Sequence, residues 1–107
     1  MKRFHISISV EDFPAAIADY TKRLGATPCV VKENRYALWR TELLNFSISC
    51  KPDQPAGLVR HIGFEDSEET GFREEKDNVG IVWEYFSAEA QQKEIEEKIG
   101  NHPPFKA

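Results

Sequence analysis

Two segments of this 107-residue chain alternate strictly between apolar and small polar side chains. They are residues 4–10 and residues 44–50, within the predicted strands 3–10 and 43–50. The polar positions are His5, Ser7 and Ser9 in the first segment and Asn45, Ser47 and Ser49 in the second. Because successive side chains of a strand point to opposite faces, each segment predicts a β-strand with one apolar face and one small, polar face. If the two polar faces converge, they form a cleft with room for a metal and a small ligand.

A helix is predicted between these two strands. Asp12 is suited to the N-cap, Pro14 falls in the first turn, and Gly25 ends a run of apolar residues at helical spacing. Residues 28–32 and 36–40 predict two further strands. The order through residue 50 is therefore expected to be βαβββ.

The second half of the chain predicts fewer elements. Residues 58–65 and 79–86 predict a fifth and a sixth strand, and Ala88–Ile99 predicts a charged helix with a thin apolar line. Residues 66–78 are mostly charged and have too few apolar positions for a core helix. We expect them to form a solvated loop.

These elements fit a single α+β domain spanning residues 1–107. Residues 1–50 supply a complete βαβββ module, residues 58–86 a shortened second module, and residues 88–100 a C-terminal helix. The proline-containing loop 51–57 joins the halves and is too short for a domain linker. A mixed, curved sheet is expected.

The charge and the cysteines exclude several classes of function. Lys and Arg total 14 against 18 Asp and Glu, which gives a net charge of −4. This charge gives no electrostatic indication of binding to nucleic acid or to an anionic membrane. No apolar run approaches spanning length, and the first residues predict a short strand instead of a signal peptide. Cys29 and Cys50 predict reduced thiols in a cytoplasmic protein, with a disulfide as the alternative.

Three possible metal ligands lie within predicted strands: His5, His61 and Glu84. A polar side chain in an apolar strand needs a partner to offset its desolvation. Two imidazoles and one carboxylate form the facial triad that binds Fe(II), so a divalent metal is predicted, with Fe or Mn favoured and Zn or Ni possible. The alternatives are hydrogen-bonded structural histidines and a Glu84 that faces water at a strand edge.

Five segments together resemble the vicinal oxygen chelate superfamily, the group of glyoxalases, bleomycin-resistance proteins and extradiol dioxygenases. They are FHISISV (4–10), LGA (24–26), LNFSIS (44–49), GLVRHIG (57–63) and NVGIVWEYF (78–86). The resemblance implies paired βαβββ modules curved around a divalent metal. It also places His5, His61 and Glu84 at three metal-ligand positions. The branch with the greatest likeness includes cadmium-induced proteins and organoarsenical carbon–arsenic lyases.

The chain departs from this family in three ways. The fourth strand has no acidic ligand of the glyoxalase I type, and the second module has no adjacent cysteines of the arsenical-lyase type. Residues 66–78 replace what should be a second helix and two outer strands. Such a truncation would expose sheet edge and apolar surface, so a homodimer that covers them is predicted.

The sequence leaves three functions open. The first is a metal-dependent, dioxygenase- or lyase-like enzyme that acts on a small molecule. The second is a non-catalytic protein that binds a drug or an aromatic compound, with Tyr36, Trp39 and Phe46 either lining the pocket or packing in the core. The third is a degenerate scaffold that only mediates assembly. The sequence does not identify the substrate, because the expected pocket walls are partly deleted.

Overall fold

A single mixed sheet of seven strands runs through the computed structural model, which describes residues 1–105. Two helices pack on it, so the α+β class is confirmed. The elements are β1 (Lys2–Ser9), α1 (Phe13–Leu24), β2 (Val30–Lys32), β3 (Tyr36–Arg40), β4 (Leu44–Ser49), β5 (Val59–Asp66), β6 (Phe72–Lys76), β7 (Val82–Phe86) and α2 (Ala88–Ile99). The first five follow the predicted βαβββ order.

The strand order across the sheet is β2-β3-β4-β1-β5-β7-β6. The centre of the sheet is β1, which pairs in parallel with β4 and antiparallel with β5. On the other side, β5 pairs in parallel with β7, and β6 pairs antiparallel with β7. The strands β5, β6 and β7 therefore repeat the arrangement of β1, β3 and β4 on the opposite side of the sheet.

The prediction of a loop over residues 66–78 is wrong, because Phe72–Lys76 forms β6 at the sheet edge. All five of its residues are exposed, so no alternation of apolar and polar side chains marks the strand in the sequence. Backbone pairing with β7 holds it in place. Its charged side chains discourage pairing with a strand from another chain. The shortened half therefore has an outer strand that the sequence did not predict.

The predicted helix signals of α1 are confirmed. The Asp12 side chain accepts a hydrogen bond from the Ala15 backbone N–H, and Pro14 lies in the first turn. At the other end, Gly25 adopts a left-handed conformation with φ 65°, and its N–H donates to the Thr21 carbonyl. The helix packs on the face of the sheet that carries Val10, Ala37, Trp39 and Ile48.

The opposite face of the sheet is covered by α2. Its Ile95 packs against Val30 and Leu38, and its Gln91 is also buried. This is the face that carries the small polar groups, and His5, Ser7 and Ser9 are all at most 3% exposed. The apolar side chains of β1 are only half-buried on the other face. The small polar face of β1 is therefore its more buried face.

Both helices are twelve residues long and contain charged residues. Neither could cross a bilayer, being too short and too polar to do so. Cys29 and Cys50 are free thiols, as the sequence predicts.

Candidate metal centre

The three predicted ligands converge beneath α2. His5 lies on β1, His61 on β5 and Glu84 on β7, which are neighbours in the sheet. The Nε2 atoms of the two histidines are 3.0 Å apart. The Oε1 atom of Glu84 lies 3.1 Å from Nε2 of His61 and 3.9 Å from Nε2 of His5. The sequence alone placed these residues in strands, and the sheet order brings their donor atoms together.

The spacing of these donor atoms fits a metal ion. Three atoms separated by 3.0, 3.1 and 3.9 Å lie on a circle of radius about 2.0 Å. Bonds from imidazole nitrogen or carboxylate oxygen to zinc are about 2.0–2.2 Å long. A proton on Nε2 of His61 can bridge the same atoms in the metal-free protein, and a bound metal would displace it. Two imidazoles and one carboxylate suit a first-row divalent ion.

Glu84 reaches this position because Gly63 lies beside it on β5. The two residues are register partners in the parallel pair of β5 and β7. A Cβ atom at Gly63 would collide with the backbone carbonyl of Glu84, and Gly63 has a φ of 156°. Glycine is therefore required for β7 to approach β5 closely enough to bring Glu84 to the histidines.

The ring of His5 is held in one orientation by two acceptors. Its Nδ1 lies 2.8 Å from the Asn45 side-chain oxygen and 3.1 Å from the Asn45 backbone carbonyl. A carbonyl oxygen only accepts, so Nδ1 must carry the proton and donate it. The lone pair of His5 is then on Nε2, which faces His61 and Glu84. This tautomer is the one a metal ligand at Nε2 requires.

The Asn45 side chain is oriented in turn by Glu65 and Gln91. Its Nδ2 donates to Oε1 of Glu65 at 2.9 Å and to Oε1 of Gln91 at 2.7 Å. Its Oδ1 also accepts a hydrogen bond from Nε2 of Gln91. Because the Glu65 carboxylate accepts only, the amide nitrogen must face it and the amide oxygen must face His5.

Glu65 is the charged centre of this buried network. Arg3 donates to its Oε2, and Arg40 donates to both carboxylate oxygens, each at 2.8 Å. Burial by itself would raise the pKa of Glu65, but hydrogen bonds from Arg40 and Asn45 and the charges of Arg40 and Arg3 lower it overall. Glu65 is therefore ionised at neutral pH, as the orientation of Asn45 requires.

Burial shifts the pKa of each donor group in the direction that favours its neutral form. Burial lowers the pKa of His5, and burial together with the charges of His5, Arg60 and Lys98 lowers the pKa of His61 to about 3. Burial, followed by the charges of Glu94 and Glu74, raises the pKa of Glu84 to about 7. The short contact between His61 and Glu84 is therefore not an ion pair between two charged groups. Neutral imidazoles are the form that binds metals.

A cavity of about 430 Å³ opens beside the three donor atoms. Ligand sites in proteins usually have volumes of about 300–1,000 Å³. Small hydroxyls on β1 and β4 line one side of it, and Tyr36, Phe86 and Ile95 supply apolar wall. Of the three aromatic residues considered for a pocket, only Tyr36 lines this cavity. Trp39 and Phe46 pack with Tyr20 on the other face of the sheet.

The sequence reasoning missed Arg60, which also lines the cavity. Strand alternation places Arg60 on the face opposite His61. However, Ser7 pairs with His61 and Ile8 pairs with Val59, so Arg60 is the extra residue of a β-bulge. Its guanidinium donates to Oγ of Ser49 at 3.2 Å, which places it on the same face as His61. No sequence signal marks this one-residue shift in register.

No protein-family model matches this chain, and no curated protein matches it either. Membership of the vicinal oxygen chelate superfamily therefore stays a prediction from sequence motifs. The candidate site is supported by its own geometry, which brings two imidazoles and one carboxylate within 4.8 Å of one another.

Proposed function

We propose that this chain binds a divalent metal ion through His5, His61 and Glu84 and acts on a small molecule in the adjacent cavity. The reaction type that fits best is that of a metal-dependent, dioxygenase- or lyase-like enzyme. The observation that supports the proposal most strongly is the convergence of three donor atoms from three neighbouring strands. Fe or Mn is favoured by the ligand set, and Zn or Ni is compatible with it.

The residues around the donors have separate tasks in this proposal. Asn45 holds the proton of His5 at Nδ1, so that Nε2 is free to coordinate. Gly63 allows β7 to bring the Glu84 carboxylate close to the histidines. The helix α2 covers the buried polar face and limits access of water to it. A divalent ion bound there would supply Lewis-acid chemistry or lower the pKa of a bound water.

The alternative function is binding without catalysis. Tyr36 lines the cavity, but burial raises its pKa, so its phenol stays protonated at neutral pH and is a poor general base. Glu94 also lines the cavity and is paired with Lys98 at 2.9 Å. Catalysis would therefore depend on the metal. Without the metal, the cavity would serve a small-molecule binding protein.

Metal analysis of tag-free protein tests the proposal. We expect one Fe, Mn, Ni or Zn ion per chain after loading, and at least a tenfold loss of affinity in His61→Ala and in Glu84→Ala. The matched controls are His102→Ala and Glu89→Gln, which remove the same groups outside the site and should bind metal like the unmodified chain. Wild-type protein that binds none of these ions would contradict the proposal, and so would ligand variants that bind them unchanged.

A homodimer is part of the same proposal, and the half-buried apolar face of β1, β5 and β7 supports it. Phe4, Phe64 and Trp83 lie on this face, opposite the cavity. A helix equivalent to α1 would cover these side chains in a complete second module. We expect Trp83→Glu to shift the protein from dimer to monomer in sedimentation measurements. A wild-type chain that sediments as a monomer at micromolar concentration would contradict this.

A further inference from the structure

The cavity has a different charge from the rest of the chain. Four of its lining residues are cationic, namely Arg35, Lys51, Arg60 and Lys98. Only two are acidic, Glu84 and Glu94, and Glu94 is paired with Lys98. The chain as a whole has a net charge of −4. The lining of this cavity therefore carries more cationic than acidic side chains, in a chain that is acidic as a whole.

Arg60 is the cation placed most specifically. The β-bulge turns two successive residues, Arg60 and His61, toward the same face of β5. Bulges commonly re-aim a side chain next to an active site. Arg60 is half-buried, and no carboxylate oxygen within residues 1–105 lies within 4.0 Å of its guanidinium. Within the described residues its side chain donates to the neutral hydroxyl of Ser49, which leaves most of its five N–H donors available.

The positive charge of Arg60 also acts on the donor residues. Together with Lys98, it contributes to the lowered pKa of His61, after burial and the charge of His5. A divalent ion held by two neutral imidazoles and one carboxylate would leave a further positive charge in the cavity. The charge of Arg60 also acts to lower the pKa of Glu84, but no carboxylate within the described residues contacts its guanidinium. A half-buried guanidinium in this situation can form a charge-assisted contact with an anion that arrives with the ligand.

We propose that the cavity binds a small organic anion, with its carboxylate or equivalent oxyanion held by Arg60 and the Ser49 hydroxyl. The apolar wall formed by Tyr36, Phe86 and Ile95 fits an apolar body attached to that anionic group. The lysines at the opening add attraction over a longer range. This inference depends on Arg60 and the cavity, and it holds whether or not the three donor residues bind a metal.

The test uses benzoate and its uncharged analogue benzamide on metal-free protein. These two probes have nearly the same shape, and only benzoate carries the negative charge. Two-dimensional NMR follows the backbone amides of residues 58–63 and the Nε–H of Arg60 during each titration. We expect saturable shifts with benzoate and binding of benzamide weaker by roughly 10- to 100-fold, the range for one charge-assisted hydrogen-bonded contact.

Variants locate the site of binding. Arg60→Gln should remove the preference for benzoate, and Arg60→Lys should retain part of it because the charge remains without the guanidinium fork. Arg23→Gln is the matched control, since it removes one positive charge from the exposed surface of α1. Three results would overturn the inference: equal affinity for both probes, an unchanged preference in Arg60→Gln, or no saturable shift with benzoate at millimolar concentration. Metal analysis of the same proteins is a separate readout, so failure of the metal proposal is distinguishable.

Discussion

Replacement of Asn45 by alanine tests the buried network that orients His5. The side chain of Asn45 is fully buried and makes four hydrogen bonds. After the substitution, Glu65 keeps its bonds to Arg40, and Nδ1 of His5 keeps the backbone carbonyl of residue 45. Both polar atoms of the Gln91 amide lose the partner that the structure gives them.

The expected loss of stability follows from these two orphaned atoms. An unsatisfied buried polar group costs about 1–3 kcal/mol, and the Gln91 amide can partly turn toward the cavity, so we expect Asn45→Ala to lose about 2–4 kcal/mol. Urea denaturation of the metal-free protein measures this. Replacing Gln91 by leucine in the same chain removes the orphaned amide, so a double-mutant cycle should give a coupling energy of about 1–3 kcal/mol.

We expect Asn45→Ala to weaken metal binding only modestly. Loss of a residue that orients a metal ligand usually lowers affinity by about 10- to 100-fold. Because the backbone carbonyl of residue 45 still holds the His5 tautomer, we expect the low end of that range, about tenfold. A change in stability below about 0.5 kcal/mol, or strictly additive effects of Asn45→Ala and Gln91→Leu, would contradict this prediction.

Two further predictions concern the neighbours of the site. Gly63→Ala should destabilise the protein by about 2–3 kcal/mol in urea and weaken metal binding, because its methyl group meets the Glu84 carbonyl. Gly71→Ala, where a Cβ has no neighbour within 4 Å, is the control, and equal stability of the two variants would contradict the prediction. The lowered pKa of Glu65 predicts stability that is present above its unfolded value of about 4.5 and lost as pH falls through the folded value. Urea denaturation from pH 3 to pH 7 should show that the difference in free energy of unfolding between wild type and Glu65→Gln decreases as the pH falls. A difference that does not change with pH would contradict this prediction.

The elements that alternation and capping residues specify could be predicted from the sequence. Period-2 patterns marked β1 and β4, and Asp12 and Gly25 marked the ends of α1. The candidate metal ligands could also be predicted from the sequence, because a histidine or a glutamate within an apolar strand stands out. The convergence of these ligands could not be predicted, since it depends on β1, β5 and β7 being neighbours in the sheet.

The features that the sequence did not reveal arise from backbone pairing. The strand β6 has five exposed residues, so burial leaves no periodic signal there. The bulge at Arg60 is a one-residue shift in the pairing of β1 and β5, and it turns Arg60 to the face that carries His61. Strict alternation along β5 would place Arg60 on the face opposite His61, although the two residues share the cavity.

The burial of the polar face favours the proposed site over a scaffold that only mediates assembly. A half-buried strand normally turns its apolar side to the core, yet β1 buries His5, Ser7 and Ser9 more completely than its apolar residues. Burying polar groups costs free energy unless each is hydrogen-bonded, and Glu65, Asn45 and Gln91 are bonded in a continuous network that ends at His5. Apolar residues of similar volume would stabilise the same sheet without such a network. In the proposed metal site, this network would hold Nε2 of His5 toward His61 and Glu84.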